Sequence, residues 1–340
     1  MSEQSSTAAQ DDIVRIEHVS NSYYENQLGI FGKRKKNQVL RDVSLTIHRD
    51  EFFGLVGESG CGKSTLANCI LGMVPFEGTI EVAGMSYGKA NRKEFTRHVQ
   101  AVFQDPLSAL DPRRRIGEIL REPLDIHGIG TKEEREAKVK EMLETVGLDA
   151  SYATRFPREL SGGQRQRVCI GASLMLEPEL VIADEAISAL DVSVGAQILN
   201  LFRKIHDEKD FAMLFISHNL NVVYYLCDRI AVLYYGEIME QGGAKEIYDN
   251  PAHPYTRILQ AAIPDLKPGK EKKEMAFVEA KNARTWVEGA CPFYRRCPRA
   301  LDECKKAPPL TNIAKEGEPE HLVRCWRHSE FPVRNERRLS

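Results

Sequence analysis

The chain has 340 residues, enough for one large α/β domain with a smaller one or for two domains of ordinary size. Its 47 basic and 49 acidic residues leave a formal net charge of −2, so the total charge does not indicate a nucleic acid as partner. No apolar run reaches the roughly eighteen residues that span a bilayer, and the N-terminal stretch lacks the apolar core of a signal peptide. We therefore expect an intracellular protein with no membrane span of its own.

The first predicted elements are strands. From Asp12 to Glu51 polar and β-prone residues alternate, which predicts a half-exposed antiparallel sheet. The next stretch, Phe52–Val56, is typical of a buried strand, and it runs into a glycine-rich turn. A helix is predicted to begin near Lys63. This strand, turn and helix are the context that a phosphate-binding loop needs.

The middle of the chain predicts a helical insertion at about residues 106–177, with charged, Ala- and Leu-containing stretches such as Lys132 to Val146. Two short apolar runs, Leu180–Ala183 and Ala212–Ile216, then predict buried parallel strands, so the fold class is α/β. A charged linker with Pro and Gly begins after Pro264. We expect one domain over residues 1–264 and a small cysteine-rich C-terminal extension over residues 265–340.

Residues 57–64 fit the pattern G-x-x-x-x-G-K-[ST] of a phosphate loop. Its backbone N–H groups are expected to surround the β-phosphate of a nucleotide, with Lys63 on the β- and γ-oxygens and the Ser64 hydroxyl on Mg²⁺. The predicted nucleotide-binding residues here are Gly57, Glu58, Ser59, Gly60, Cys61, Gly62, Lys63, Ser64 and Thr65.

Polar side chains follow the predicted strands. Asp184 and Glu185 end the apolar run that starts at Leu180, where Asp184 would hold Mg²⁺ through water and Glu185 would polarise an attacking water as general base. His218 follows the next strand and could bridge the γ-phosphate and the catalytic carboxylate, and Gln104 could bind Mg²⁺ and water. A solvent-facing acidic pair, a structural histidine and a surface glutamine remain the simpler alternatives.

The pentapeptide Leu160-Ser161-Gly162-Gly163-Gln164 offers a hydroxyl and two glycines, which let backbone N–H groups approach an anion at a helix N-terminus. An ordinary N-cap turn would use the same residues. With Tyr23 for adenine stacking, the phosphate loop, Gln104, Asp184-Glu185, the loop Ser188-Ala189-Leu190-Asp191 and His218, all in this order, residues 12 to 264 resemble the ATP-binding cassette (ABC) ATPases. Tyr23 could otherwise simply fill a sheet face.

This resemblance implies two nucleotide-binding domains that face head to tail. Each ATP then lies between the phosphate loop of one domain and the equivalent of Leu160 to Gln164 in the other. One chain carries one set of motifs, so the second domain is expected to come from another polypeptide. Binding of ATP would close the pair, hydrolysis would open it, and attached membrane subunits would move between two states.

The eight cysteines fall into two groups. Four are scattered and are predicted to be small buried hydrophobes: Cys61, Cys69, Cys169 and Cys227. The other four crowd the C-terminal end: Cys291, Cys297, Cys304 and Cys325. The run from Cys291 to Cys304, with the His-Pro-Tyr-Thr stretch at residues 253–256, resembles the ATP-binding subunits of dipeptide and oligopeptide permeases.

Four C-terminal thiolates could bind a [4Fe-4S] cluster or a zinc ion. The tight Cys-x₂-Cys arrangement of most zinc sites is missing, and similar family members carry the iron-sulfur form, so the resemblance favours the cluster. Two disulfides are the third alternative, and His321 and His328 beside Cys325 keep a mixed zinc site open.

The resemblance implies an ATP- and Mg²⁺-dependent subunit that powers import of di- or oligopeptides. Its expected partners are a homologous ATP-binding subunit in a heterodimer, two transmembrane permeases and an extracytoplasmic solute-binding protein, without nucleic acid. It is expected to lie peripherally on the cytoplasmic face of a bacterial inner membrane. The alternatives are an importer of nickel, opines or glutathione, and a soluble ABC switch on ribosomes or DNA, although the second cassette or long coiled coil of those relatives is missing here.

Overall fold

Two β-sheets organise the computed structural model, which describes residues 12–26, 34–88, 91–261 and 287–329. The strands in these ranges are β1 (Asp12–Asn26), β2 (Arg34–His48), β3 (Phe52–Val56), β4 (Glu77–Val82), β5 (Met85–Ser86), β6 (Val99–Val102), β7 (Leu180–Asp184), β8 (Ala212–Ser217), β9 (Arg229–Tyr234), β10 (Glu237–Gly243), β11 (Thr311–Asn312) and β12 (Leu322–Val323).

Helices cover both faces of the larger sheet and fill the chain between β6 and β7. They are α1 (Lys63–Ile70), α2 (Arg92–His98), α3 (Pro106–Ala109), α4 (Ile116–His127), α5 (Lys132–Thr145), α6 (Gly162–Leu174), α7 (Val192–Glu208), α8 (Leu220–Leu226), α9 (Ala244–Asp249) and α10 (Pro254–Ala261). None of the helices in the described ranges combines the length and the apolar character that crossing a membrane requires.

The smaller sheet is antiparallel, in the order β2-β1-β4-β5. On β1 the side chains of Val14 and Ile16 are buried, while the intervening Arg15 and the following Glu17 are partly or fully exposed. Successive side chains of a strand point to opposite faces, so the alternation in sequence becomes one packed face and one solvated face. The half-exposed antiparallel sheet predicted from the N-terminal pattern is confirmed.

The larger sheet has the order β11-β12-β10-β9-β3-β8-β7-β6, and its strands β9, β3, β8, β7 and β6 are parallel. Every residue of β3 is buried, and alternate residues enter two cores: Phe52 and Val56 pack on one face, Phe53 and Leu55 on the other. Burial on both faces explains why these strands are continuous apolar runs in the sequence. The predicted buried strand β3 and the predicted buried parallel strands β7 and β8 are confirmed.

The chain between β6 and β7 is helical, as the sequence predicted. α4 buries Ile116, Ile119, Leu120 and Leu124, residues at the three- and four-residue spacing of one helix face. α5 begins with a capping box in which the Thr131 hydroxyl accepts the Glu134 N–H and the Glu134 carboxylate accepts the Thr131 N–H. These helices pack on α6, which carries the glycine-rich pentapeptide at its start.

The C-terminal segment, residues 287–329, packs directly on the larger sheet. Its strands β11 and β12 extend the sheet at β10. Glu240 of β10 is fully buried, and its carboxylate accepts hydrogen bonds from Ala252 N at 2.7 Å, His253 N at 3.0 Å and His321 Nε2 at 2.8 Å. Burial alone would raise the pKa of Glu240, but these hydrogen bonds, led by that of His321, lower it. The domain boundary predicted at residues 264 and 265 lies outside the described residues.

His253 is a buried histidine held in its neutral form. Its Nδ1 accepts the N–H of Tyr255 at 3.0 Å, and its side chain is 1% exposed. Burial lowers the pKa of His253 from 6.5 to about 4, against the opposing attraction of the Glu240 carboxylate. His253 therefore binds a proton less readily in the folded protein than in the unfolded chain.

This depressed pKa predicts a loss of stability in mild acid. The contribution is fully present above pH 6.5 and is lost as the pH falls towards the folded pKa of about 4. Two to three pKa units correspond to about 3 kcal/mol in the free energy of unfolding. Urea unfolding of the wild type and of His253→Asn between pH 4 and pH 7 measures this loss of stability. The free energy of unfolding of the variant is expected to depend less steeply on pH. An equal slope in the wild type and in His253→Asn would contradict the assignment.

Candidate functional site

The phosphate loop connects β3 to α1, as predicted. Lys63, the first residue of α1, is 5% exposed, and its Nζ donates to the carbonyl oxygens of Gly57 at 2.8 Å and Glu58 at 3.1 Å. Gly62 precedes the helix with φ of 114°, a left-handed conformation that side chains rarely adopt. α1 has no side-chain cap, so the N–H groups of its first turn are directed into the loop. Such a helix start with a buried ammonium is suited to bind a phosphate.

Asp184 lies at the carboxyl end of β7, against the start of α1. Burial raises the pKa of Asp184, and a hydrogen bond from the Ser64 hydroxyl opposes the rise. Its Oδ1 is a buried oxygen that has no hydrogen-bond partner among the described residues. Such an oxygen calls for a ligand, and a carboxylate beside a hydroxyl is the kind of donor set that Mg²⁺ prefers. Ser64 and Asp184 therefore fit the predicted magnesium site.

Glu185 is the centre of a polar group at the same edge of the sheet. Gln104 Nε2 lies 3.3 Å from Glu185 Oε2 and 3.2 Å from Ser188 Oγ, and His218 Nδ1 lies 3.5 Å from Glu185 Oε1. Glu185 has φ of 48°, and its N–H donates to the Ile216 carbonyl at 3.0 Å. A non-glycine residue in this left-handed region is strained, and such strain concentrates at functional sites. The structure thus brings together the three side chains predicted to be catalytic.

The loop after Glu185 leads into α7. Ser188 N donates to the Glu185 carbonyl at 3.0 Å, and Asp191 caps α7 by accepting the Val194 N–H at 2.9 Å. Glu185 and His218 also line a cavity of about 330 Å³ with members of this loop, and its lining includes Ile187, Ser188, Leu190, Asp191 and Asn219. Of the predicted loop residues Ser188, Ala189, Leu190 and Asp191, only Ala189 is absent from that lining.

The glycine-rich pentapeptide begins α6. Ser161 caps the helix, since its Oγ accepts the Gln164 N–H at 3.3 Å while Gln164 Oε1 accepts the Ser161 N–H at 2.9 Å. A Cβ at Gly163 would lie 2.5 Å from Val194 Cγ1, so a glycine lets α6 pack closely on α7. The N-cap turn is present, and Gly162 and Gly163 remain partly exposed. Capping of the helix therefore does not prevent an anion from approaching the glycine backbone. Gln164 Nε2 also donates to Tyr152 OH at 2.9 Å, a contact that the motif alone does not reveal.

The pentapeptide and the phosphate loop line different cavities. Ser161, Gly163 and Gln164 border one of about 460 Å³, whereas residues 58–61 of the phosphate loop border another of about 520 Å³. The two cavities share no lining residue. Within one chain the two motifs therefore do not form one binding site.

Tyr23 lies beside the phosphate-loop cavity. It pairs across the small sheet with Asn37, which lines that cavity together with Gln38, Val39 and Arg41. The Tyr23 side chain is 40% exposed, so its ring is available for stacking and does not fill a packed sheet face. This position fits the predicted adenine contact.

The four C-terminal cysteines converge. Cys291, Cys304 and Cys325 are each 8% exposed, Cys297 is half-buried, and Cys291 N donates to the Cys304 carbonyl at 2.9 Å. Burial, with a smaller contribution from the other thiols nearby, raises the pKa of the Cys291 thiol to about 12 and that of Cys297 to about 11. All four are free thiols, so the disulfide alternative is wrong.

The arrangement of these side chains supports neither the single-zinc alternative nor the [4Fe-4S] cluster. Within the described ranges no group of three or more His, Cys, Asp or Glu side chains is arranged to hold a metal ion. The mixed site fails for a further reason, because His321 is directed to the buried Glu240 carboxylate. The scattered cysteines Cys61, Cys69, Cys169 and Cys227 are buried, as predicted, and burial raises the pKa of each thiol.

Sequence patterns missed two contacts of the phosphate loop, both made by Glu58. Glu58 forms a two-bond ion pair with Arg296 of the C-terminal segment, and the Glu58 N–H donates to Tyr255 OH at 2.9 Å. These partners lie 238 and 197 positions away in sequence. No local periodicity reports such a distant pairing, although Arg296 and Tyr255 both lie in the stretches that carry the peptide-permease resemblance.

Two family models match the chain. The model of the ABC transporter family matches residues 40–188, and that of the oligopeptide and dipeptide transporter C-terminal region matches residues 239–304. The second match includes Cys291, Cys297 and Cys304.

Solved structures of similar fold include cbiO1 of Clostridium perfringens, part of the ABC transporter complex cbiONQ. It aligns with a TM-score of 0.62 at 24% identity, over 71% of this chain and 92% of its own. The ATP-binding cassette MJ0796, in a dimeric post-hydrolysis state bound to ADP and phosphate, aligns with a TM-score of 0.60 at 28% identity, over 68% and 98%. The predicted ABC ATPase fold is confirmed.

Whole-chain relatives agree with the family models. The chain is 41% identical to the oligopeptide transport ATP-binding protein AppF of Bacillus subtilis (strain 168), over 95% of this chain and 99% of the relative. It is 43% identical to a putative peptide import ATP-binding protein of Brucella abortus (strain 2308), over 84% and 87%. The chain therefore belongs to the ABC transporter family of ATPases, among the ATP-binding proteins of oligopeptide and dipeptide transport.

Proposed function

We propose that this chain binds and hydrolyses ATP to power the import of di- or oligopeptides through a membrane ABC transporter. The observation that carries the proposal is the polar group of Glu185, Gln104 and His218 at the sheet edge that also bears the phosphate loop. The near full-length identity with peptide-import relatives supports the transported class.

Each part of the site has a role in ATP hydrolysis. Tyr23 stacks on the adenine, the loop from Gly57 to Thr65 surrounds the phosphates, and Lys63 neutralises their charge. Ser64, Gln104 and, through water, Asp184 would hold Mg²⁺, which would offset the negative charge of the phosphate oxygens. Glu185 acts as the general base that polarises the attacking water.

His218 and Gln104 support that base. His218 lies within 3.5 Å of one Glu185 oxygen, and Gln104 within 3.3 Å of the other, so the two hold the carboxylate in one orientation. His218 is 53% exposed, which leaves its ring able to reach a γ-phosphate as well. Because the Glu185 carboxylate is already held in this orientation, it loses little further conformational freedom when it acts as a base.

We further propose that the ATP site is completed by another polypeptide. Ser161, Gly163 and Gln164 of the pentapeptide line a cavity separate from that of the phosphate loop. The pentapeptide from Leu160 to Gln164 therefore serves the ATP of a partner subunit, with the loop from Ser188 to Asp191 at the same interface. The partner is a homologous ATP-binding subunit. Two permeases provide the membrane path, a solute-binding protein delivers the peptide, and the ATPase lies peripherally on the cytoplasmic face of the inner membrane.

The four C-terminal cysteines are proposed to hold a [4Fe-4S] cluster. Four free thiols that lie near one another in this segment, the number and kind of ligand that such a cluster takes, support the proposal. When bound, such a cluster supplies a rigid cross-link of four thiolates. Cys291, Cys297, Cys304 and Cys325 would then fix the C-terminal segment against the ATP domain.

Replacement of the proposed base tests the function. Glu185→Gln keeps the hydrogen-bonding shape of the side chain but cannot take up a proton, so we expect kcat for ATP hydrolysis to fall by about 10²- to 10⁴-fold. ATP-dependent pairing with the partner subunit should persist. Phosphate release and size-exclusion chromatography with and without Mg-ATP measure the two effects. Glu208→Gln, an exposed carboxylate at the end of α7, is the matched control and should hydrolyse ATP normally.

The same variant serves as bait. With Mg-ATP, tagged Glu185→Gln should capture a homologous ATPase and membrane permeases from detergent extract. Co-sedimentation with ribosomes or DNA would contradict the transport function, and normal hydrolysis would contradict the role of Glu185. Binding of nickel, opines or glutathione but not peptides by the captured solute-binding protein would contradict the substrate class.

Metal analysis tests the cluster. Anaerobically purified protein should contain about four iron and four sulfide per chain, with the broad absorption of a [4Fe-4S] centre. Cys304→Ser should lose most of its iron and sulfide. Cys69→Ser removes a buried thiol of the ATP domain and should keep them. Zinc without iron in the wild type would contradict the proposal.

A further inference from the structure

A two-bond ion pair joins the C-terminal segment to the phosphate loop. Arg296 Nη1 lies 2.7 Å from Glu58 Oε2, and Arg296 Nη2 lies 2.7 Å from Glu58 Oε1. The Arg296 side chain is 10% exposed and that of Glu58 39%. A guanidinium fork on a carboxylate fixes both groups in one plane, and it is stronger than a single exposed ion pair. Glu58, the second residue of the phosphate loop, is therefore held by a residue that lies outside the nucleotide-binding motifs.

Arg296 is itself held in place. Its guanidinium carbon lies 5.6 Å from the ring centre of Tyr234 and 5.8 Å from that of Phe293. The backbone N–H of Arg296 donates to the Phe293 carbonyl at 3.0 Å. Phe293 is 1% exposed and packs on Tyr234 and Tyr255. The Arg296 guanidinium is thus preorganised, because its side chain loses little conformational freedom when it pairs with Glu58.

Glu58 transmits this restraint to the lysine of the loop. Its carboxylate is held by Arg296, its N–H by Tyr255 OH at 2.9 Å, and its carbonyl oxygen accepts Lys63 Nζ at 3.1 Å. A displacement of Glu58 therefore moves the backbone that positions Lys63. The three contacts fix the side chain, the amide and the carbonyl of one residue.

The charge of Glu58 makes the restraint important for a nucleotide. A carboxylate in a phosphate-binding loop repels a triphosphate unless a cation neutralises it. Arg296 supplies that cation, and it lines the cavity of about 520 Å³ that residues 58–61 also line. Without Arg296 the loop would carry an unpaired negative charge where the phosphates bind.

We propose that Arg296 is a positioning residue for ATP binding: it neutralises the Glu58 carboxylate and holds it in place, so that the phosphate loop receives the triphosphate without an unpaired negative charge. This inference rests on the proposed function, because it concerns the same ATP site. It assigns to the C-terminal segment a direct part in nucleotide affinity.

Binding and turnover of full-length variants test the proposal. Arg296→Ala is expected to raise the Kd for Mg-ATP about tenfold, measured by titration calorimetry. In the assembled transporter KM for ATP should rise by a similar factor while kcat stays within about twofold, because Arg296 does not touch the reacting atoms. Arg299→Ala, an exposed arginine of the same segment, loses the same charge and should bind ATP like the wild type.

Two further variants separate positioning from a merely structural tether. Arg296→Ala with Glu58→Gln removes the unpaired carboxylate and should recover most of the affinity, which the loss of a tether would not allow. Arg296→Lys keeps the charge but cannot bridge both oxygens, so an intermediate Kd is expected. It also provides the measurement if Arg296→Ala does not fold.

Equal Kd values for Arg296→Ala and Arg299→Ala would overturn the inference. So would a double variant no better than Arg296→Ala, or a wild-type Kd in Arg296→Lys. If the wild type hydrolyses ATP while the Arg296 variants are unaffected, only this inference fails. A wild-type chain that binds no ATP overturns the proposed function and this inference with it.

Discussion

Parallel pairing of β3, β8, β7 and β6 is the constraint on which the site depends. In register, Val56 pairs with Ser217, Ile216 with Asp184, and Ala183 with Val102, so the four strands end at one edge. The residue types needed for phosphate chemistry then follow each strand by one or two positions. Residues far apart in sequence thus become neighbours through backbone hydrogen bonds alone, and their side chains need only the correct strand end.

This geometry explains which parts could be predicted from sequence. β3, β7 and β8 were recognisable because strands buried on both faces are continuous apolar runs. Glu185 and His218 were recognisable because each follows such a run directly. The prediction needed no knowledge of their 3.5 Å separation, since parallel strands bring their carboxyl ends together wherever they lie in the chain.

Contacts that depend on the C-terminal segment could not be predicted in this way. His321 was an open candidate for zinc because it lies near Cys325 in sequence, yet its ring donates to Glu240, 81 positions away. The preference is physical: a fully buried carboxylate needs hydrogen-bond donors more than a thiol group needs a further ligand. Likewise the ion pair of Glu58 and Arg296 leaves no periodic trace, because each residue alone has the appearance of a solvated charge.

The two contacts together give the C-terminal segment its place in the molecule. Glu240 anchors the segment at β10 through His321, where both partners are almost fully buried, and Arg296 extends from the segment to a partly exposed Glu58. The buried pair is costly to break, because separation leaves an uncompensated charge in the interior. The pair at the phosphate loop is closer to solvent and is therefore the more adjustable of the two. A fixed anchor combined with an adjustable contact is the arrangement through which a segment outside the nucleotide motifs can influence ATP affinity without disturbing the fold.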